Sequence, residues 1–135
     1  MNRLSFELMK RFKVYKQGPE EQAQTMFFDF CNCMIRQHPA YLVAYHIPNE
    51  GRCSVQRRVA LKRAGLRKGM PDICVPVGCG KYHALYIEMK IKPNKPSPEQ
   101  LEIIKLLNAA GNYACICWSG NEAVKVLQDY IAEKL

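Results

Sequence analysis

Two runs of alternating side chains, joined by a short glycine-containing segment, constrain the fold of this chain most. Residues 72–77 and 83–91 are strand-like, and residues 78–82 between them have the composition of a hairpin loop. Successive side chains of a strand point to opposite faces, so the register of such a hairpin decides which side chains meet. The sequence therefore predicts an antiparallel strand pair in the middle of the chain.

The alternation brings charged residues together on one face of this hairpin. Glu88 and Lys90 share a face of the second strand, while apolar residues line its other face. Asp72 lies directly across from Glu88 if the hairpin is centred on Gly80. Like charges that face each other across a strand pair are destabilising, and a divalent cation between them would remove the repulsion. Because carboxylate oxygens suit Mg²⁺ or Mn²⁺ rather than zinc, we expect a site for one of those ions.

Lys90 gives such a site the chemistry of phosphodiester hydrolysis. A bound cation can generate hydroxide near neutral pH and neutralise phosphoryl oxygens. A neighbouring lysine can orient the water, deprotonate it or stabilise the developing charge, and the sequence leaves these roles open. A Glu-x-Lys pattern is common in strands, so its significance here depends on Asp72 and on the basic residues nearby.

Helical periodicity singles out Glu20 as a further acidic candidate. Residues seven apart nearly eclipse on a helix, which aligns Glu20 with Phe27 and Met34 in the apolar stripe of a helix expected over residues 20–37. Glu21 lies roughly 100° away from that stripe. A carboxylate in the stripe needs a partner, although a frayed helix end with both glutamates in water is the alternative interpretation.

The remaining patterns predict a mixed α/β (α+β) fold, with about four strands flanked by helices. Ser54 and Gly65 bound a short basic helix, and Ser97 starts a helix with a capping box that includes Gln100. The length of the chain suits a single domain over residues 19–135, preceded by a basic arm over residues 1–18. Further strands are expected over residues 41–47 and 113–118, with Pro39 ending the helix before the first and Gly111 the helix before the second, and a last helix over residues 122–135.

The charge balance favours an anionic partner. The chain has 20 Lys and Arg against 12 Asp and Glu, a formal net charge of +8, and the basic residues are clustered. One cluster alone would fit a solvated helix face, but three clusters around a few acidic residues favour nucleic acid. The candidate nucleic-acid contacts are Asn49, Arg52, Arg57, Arg58, Lys62, Arg63, Lys68, Lys92 and Lys95.

Cysteine spacing and hydropathy favour a reduced protein of the cytoplasm. The seven cysteines form no C-x-x-C pair, so we expect them to serve as small core residues rather than as disulfides or zinc ligands. A membrane span needs about 20 consecutive apolar residues, and no such run is present. The first residues also lack the continuous apolar segment of a signal peptide.

These residues together resemble a known nuclease pattern. Pro71-Asp72 followed by Glu88-Met89-Lys90 is similar to the PD-(D/E)xK motif, and the expected element order resembles the restriction-endonuclease-like core of that superfamily. More narrowly, the chain resembles the VRR-NUC (virus-type replication-repair nuclease) family. The similarity is carried by Glu20 with Gln24 and by residues 46–51, 65–72, 86–90 and 97–100, with Asn49-Glu50-Gly51 where the family commonly has Asn-Gly-Gly.

The resemblance implies an activity, partners and roles for individual residues. Stand-alone members are typically encoded by phages, form homodimers and act on structured or branched DNA such as four-way junctions or flaps. The chain would then be an Mg²⁺- or Mn²⁺-dependent deoxyribonuclease of the bacterial or phage-infected host cytoplasm. The implied catalytic residues are Glu20, Asp72, Glu88, Lys90 and Gln100, and the implied metal ligands are Glu20, Asp72, Glu88 and the Met89 carbonyl.

Two other interpretations stay open at this point. A nucleic-acid-binding module without catalysis would explain the basic clusters equally well, but it has no use for carboxylates held against phosphates that repel them. A nuclease of the same fold acting as a restriction enzyme, or on RNA, would share the site, because no base-reading residue can be located and nothing distinguishes the sugar.

Overall fold

The computed structural model describes residues 16–48 and 53–135, and the hairpin predicted from the sequence lies at the centre of its sheet. The sheet has four strands in the order β1-β2-β3-β4, antiparallel from β1 to β3 and parallel between β3 and β4. The predicted arm up to residue 15 and the candidate contacts Asn49 and Arg52 lie outside the described residues. The elements are α1 (Pro19–Cys33), α2 (Pro39–Val43), β1 (Tyr45–His46), α3 (Val55–Arg63), β2 (Ile73–Val75), β3 (Leu85–Met89), α4 (Pro98–Ala109), β4 (Tyr113–Cys117) and α5 (Gly120–Ile131).

The register of the β2–β3 hairpin is the predicted one. Ile73 pairs with Ile87 and Val75 with Leu85, so the hairpin is centred on Gly80. Continuing this pairing by one residue places Asp72 opposite Glu88. The prediction that these two carboxylates face each other across the strand pair is therefore confirmed.

Helices cover the sheet on both faces, which confirms the predicted fold class. On one face, α1 and α5 pack against each other and against the apolar residues of β2 and β3, with Phe27 and Leu127 fully buried. On the other face, α4 packs along β4 and reaches the Glu88 side of β3 through Gln100. Glu88 therefore lies between the sheet and α4, on the polar face of the hairpin. None of the helices in the described ranges has the length and apolarity to cross a membrane.

The expected strand over residues 41–47 is wrong in its first half. Residues 39–43 form the short helix α2, and only Tyr45 and His46 pair with β2. The Nδ1 atom of His38 accepts a hydrogen bond from the backbone N–H of Ala40 at 3.1 Å, and Pro39 occupies the first turn, where its missing N–H does no harm. Pro39 thus begins a helix, while α1 has already ended at Cys33 rather than at Gln37.

The predicted helix boundaries around the basic segment and before α4 are confirmed. The Ser54 hydroxyl accepts the N–H of Arg57 at 3.1 Å, and Gly65 follows the end of α3 with a φ of +109°. At the start of α4, Ser97 and Gln100 form the complete capping box. None of the nine residues of α3 is buried, so this helix presents its basic side chains to solvent.

Gly69 fixes the segment between α3 and β2 against the start of α4. Its φ is +90°, and a Cβ built on it would lie 2.9 Å from the backbone carbon and oxygen of Glu99 and 3.1 Å from the nitrogen of Gln100. Such distances leave no room for a side chain, and the atoms that would have to move belong to a capped helix end. The close approach holds the two segments in register.

We therefore expect Gly69→Ala to destabilise the protein more than Gly65→Ala does. Both substitutions force alanine into a left-handed backbone at a cost of roughly 1–2 kcal/mol, but a Cβ on Gly65 meets no atom within 4 Å. The steric overlap at Gly69 should add at least about 1 kcal/mol. Urea unfolding of both variants measures the difference. Equal free energies of unfolding would show that the contact between Gly69 and α4 is looser than these distances indicate.

Candidate active site

The face of the hairpin that carries the predicted residues forms a polar site at one end of the sheet. Asp72 directly precedes β2, and its Oδ2 accepts a hydrogen bond from the backbone N–H of Met89 at 2.8 Å. This hydrogen bond adds a side-chain contact to the backbone pairing of β2 and β3. It fixes the Asp72 carboxylate beside the end of β3. The Met89 side chain points the opposite way and is buried in the core.

Glu88 is the buried charged residue at the centre of the site, with only 2% of its surface exposed. Its Oε1 accepts a hydrogen bond from Gln100 Nε2 at 2.7 Å and lies 3.4 Å from Lys90 Nζ. Its Oε2 is also buried, and no residue of the described chain offers it a hydrogen bond. A carboxylate oxygen without a partner in a buried position is costly, so this atom indicates a missing ligand.

The capping box of α4 orients Gln100 for this contact. Gln100 Oε1 accepts the backbone N–H of Ser97 at 2.8 Å, which directs the amide nitrogen of the same side chain toward Glu88. One side chain therefore caps a helix and binds a carboxylate. A residue on α4 can support the site in this way, which is the role that the family resemblance implies for Gln100.

Burial and neighbouring charge both shift the acidic groups toward their protonated forms. The pKa of Glu88 is raised to about 7, first by burial and then by the Asp72 carboxylate, while Lys90 opposes the shift. Burial also raises the pKa of Asp72, against the opposing effect of the Met89 N–H bond. The Glu20 carboxylate contributes to raising both pKa values, so it lies within electrostatic reach of the pair.

Glu20 and Glu21 both line a cleft next to Asp72, but their exposure to solvent differs. The cleft has a volume of about 320 Å³ and is lined by Glu20, Glu21, Gln24, His46, Asp72 and Met89. Glu20 Oε1 accepts a hydrogen bond from Asn94 Nδ2 at 3.1 Å, which ties the start of α1 to the loop after β3. Glu21 is the more exposed of the two.

Two residues of the site were not found by sequence reasoning. His46 lines the cleft, and its Nδ1 lies 2.8 Å from the Asp72 carbonyl oxygen. Asn94 belongs to a segment that the sequence identified only as a loop, yet it holds Glu20. His46 belongs to a motif that the resemblance includes, whereas no local pattern distinguishes Asn94.

The basic candidates form two exposed groups. Arg57, Arg58, Lys62 and Arg63 are exposed on α3, and Lys92 and Lys95 are exposed on the loop that carries Asn94. Lys68 forms an exposed ion pair with Glu99 at 3.2 Å. Such an exposed pair contributes little to stability, so Lys68 can exchange this partner for a phosphate at small cost.

The donor atoms at the site suit Mg²⁺ or Mn²⁺, which can keep several water ligands, better than an ion that needs all of its ligands from the protein. Among residues 16–48 and 53–135, no three His, Cys, Asp or Glu side chains converge closely enough to hold one ion by themselves. Mg²⁺ commonly binds through one or two carboxylates and keeps several of its waters. Asp72 and Glu88, with the partnerless Oε2 of Glu88, match that requirement. Ligation by Glu20, Asp72, Glu88 and the Met89 carbonyl stays a prediction.

The raised pKa of Glu88 leads to a pH dependence of stability in the chelated protein. Between pH 4.5 and about 7 the folded protein keeps a proton on Glu88 that the unfolded chain has lost, so stability declines as the pH rises through this interval. The contribution is about 3 kcal/mol, and it should be absent from Glu88→Gln. Chemical unfolding with a chelator at pH 5 and pH 8 measures it, and parallel profiles for the two proteins would contradict the burial of this carboxyl group.

Comparisons with known proteins agree with the fold. A family model for the VRR-NUC domain matches residues 16–120, a range that contains Glu20, Asp72, Glu88, Lys90 and Gln100. A solved structure described as a VRR-NUC domain protein is similar, with a TM-score of 0.72 and 27% sequence identity over 87% of this chain and 92% of that chain. A search of curated proteins gave no match. Because the family model covers most of its length, the chain belongs to the VRR-NUC family, a family of the nuclease type.

Proposed function

We propose that the chain is an endonuclease that hydrolyses phosphodiester bonds of structured or branched DNA with Mg²⁺ or Mn²⁺. The observation that carries the proposal is the buried carboxylate of Glu88, which faces Asp72 and has one oxygen without a partner in the described chain. A protein that only bound DNA would gain nothing from this arrangement, because buried carboxylates destabilise the fold and repel phosphates.

Asp72 and Glu88 are the residues that would hold the cation. Bound there, Mg²⁺ or Mn²⁺ supplies a water of lowered pKa and positive charge close to the phosphoryl oxygens. Gln100 holds Oε1 of Glu88 in place, which leaves Oε2 directed away from the helix contact and available as a ligand. The hydrogen bond from Met89 N–H fixes the Asp72 carboxylate in the same way.

Lys90 places an ammonium group next to this pair, with 12% of its side chain exposed. Partial burial strengthens its interaction with a nearby anion, because fewer water molecules screen it. Its ion pair with Glu88 Oε1 at 3.4 Å restrains the side chain, so the positive charge is positioned before substrate binds. Lys90 thus stabilises negative charge that develops on the phosphate, or orients the attacking water.

The branched form of the substrate and a homodimeric assembly are supported by the resemblance to stand-alone, phage-type members of the family. A homodimer presents two such sites to two strands, which is what resolution of a four-way junction requires. The exposed basic residues of α3 and of the loop after β3 would contact phosphates on either side of the cleft. Their charge favours binding of any duplex arm without selecting its sequence.

We expect wild-type protein to cut four-way-junction DNA with Mg²⁺ or Mn²⁺ and to be inactive with a chelator. Lys90→Ala should lower the cleavage rate by at least about 100-fold and leave DNA affinity within a few-fold, because the lost charge acts mainly in the transition state. Single-turnover cleavage and binding in chelator measure the two effects separately. Lys105→Ala, which removes the same charge from an exposed position on α4, is the matched control.

The same assay with a flap, a linear duplex and RNA identifies the substrate class. Equal cleavage of linear duplex and junction would remove the branched-DNA part of the proposal, and cleavage of RNA alone would replace it. Wild-type protein that binds each substrate but cuts none with either metal ion would contradict the enzymatic function itself.

The two glutamates at the start of α1 provide a second test of the site. Glu20→Gln should lower the cleavage rate about tenfold or more, because the Glu20 carboxylate interacts with Asp72 and Glu88 and is held by Asn94. Glu21→Gln removes the same charge one residue away and should leave the rate close to that of the wild type. The opposite order of effects would show that Glu21 is the functional acid.

A further inference from the structure

A second cavity is lined by Gln100, the residue that donates a hydrogen bond to Glu88. Its volume is about 270 Å³, and it lies between the end of α3, the segment after it and the first turn of α4. Three of its lining residues are cationic, and none of the lining residues in the described chain is acidic. The lining residues that matter here are Lys62, Arg67, Lys68, Gly69, Ser97 and Gln100.

The charge of this cavity suits an anion. Lys62, Arg67 and Lys68 contribute three positive charges, and only Lys68 has an acidic partner, the exposed Glu99, in the described chain. Three cations that converge on one concave surface repel each other, and a phosphate group relieves that repulsion while accepting several hydrogen bonds. Arg67 adds a planar group of donors that matches two phosphate oxygens at once.

One wall of the cavity, the segment that follows α3, is anchored at two points. Gly69 is buried and touches the backbone of α4 so closely that no side chain fits there. Leu66 N–H donates to the Leu61 carbonyl at 2.9 Å, which holds the segment to the end of α3. A site that is formed before binding loses less conformational entropy when its ligand arrives.

Gln100 connects the cavity to the catalytic carboxylate. The residue lines the cavity, and its Nε2 lies 2.7 Å from Glu88 Oε1, so it takes part in both sites. A phosphate bound in the cavity would therefore lie beside the residue that orients Glu88, where a strand cut at Asp72 and Glu88 would carry a neighbouring phosphate. The contact would fix how far the strand advances over the site.

We infer that this cavity binds a second, non-scissile phosphate of the nucleic acid and so sets the position of the strand at Glu88 and Lys90. The inference rests on the proposed function in taking nucleic acid as the ligand. The phosphate is either an internal diester or a terminal monoester of the same strand. Arg67, which was absent from the candidate contacts, becomes a positioning residue for the reaction.

Binding without catalysis tests the inference directly. Full-length wild type and Arg67→Gln are titrated in chelator with junction substrates in which one phosphate at a time is replaced by a neutral methylphosphonate. Wild type should lose about tenfold in affinity at one position near the cleavage point, and Arg67→Gln should bind that substrate and the unmodified one equally. Lys105→Gln, with the same loss of charge outside the cavity, should keep the sensitivity of the wild type.

A parallel pair of substrates with and without a terminal phosphate identifies the source of the phosphate. Sensitivity to Arg67 only when the end is phosphorylated assigns a monoester, and sensitivity at an internal position assigns a diester. The salt dependence provides a further readout, because loss of one phosphate contact should lower the slope of log affinity against log salt by about one.

The outcomes separate this inference from the proposed function. If wild type binds DNA but Arg67→Gln and Lys105→Gln respond alike at every methylphosphonate position, the cavity is a solvated surface and the inference is overturned. If the single-position coupling is present but no metal ion supports cleavage, the phosphate site stands and the enzymatic proposal fails. If the inference and the proposed function are both correct, Arg67→Gln also cuts less uniformly along the strand, and mapping of the product ends detects this change.

Discussion

The burial of the Glu88 carboxylate is the constraint on which the arrangement of the site depends. A carboxylate with 2% exposure cannot rely on water, so three elements supply its surroundings. Lys90 comes from the same strand, Asp72 lies opposite in the hairpin, and Gln100 approaches from the first turn of α4. The capping box at Ser97 and the close approach of Gly69 then become necessary, because they hold that turn at hydrogen-bonding distance.

The parts of this arrangement that could be predicted from the sequence are those that depend on local periodicity. Alternation along residues 83–91, together with a turn centred on Gly80, is enough to place Glu88 and Lys90 side by side and Asp72 across from them. The contact between Ser97 and Gln100 is equally local, since a capping box needs only residues three apart. For these residues, the local sequence pattern is therefore enough to predict their arrangement in the site.

The parts that could not be predicted depend on contacts between distant segments. Residues 41–43 have side chains typical of a strand, but the cap from His38 and the burial of Tyr41 in the core select a helix. Asn94 meets Glu20 across 74 residues of sequence, and the cavity beside Arg67 exists only because two segments pack at Gly69. No periodicity encodes such meetings, since they arise once the sheet and its helices have assembled.

The same burial also links the protonation of the site to the cation. With its pKa raised to about 7, Glu88 carries a proton in a large fraction of molecules near neutral pH, and the proposed cation would have to displace that proton to use Oε2 as a ligand. Replacing Glu88 by an apolar residue would remove both the destabilisation and the ligand. A chain that keeps a carboxylate here keeps a destabilising group, which fits the proposed binding of a cation, as expected where function and stability compete for one position.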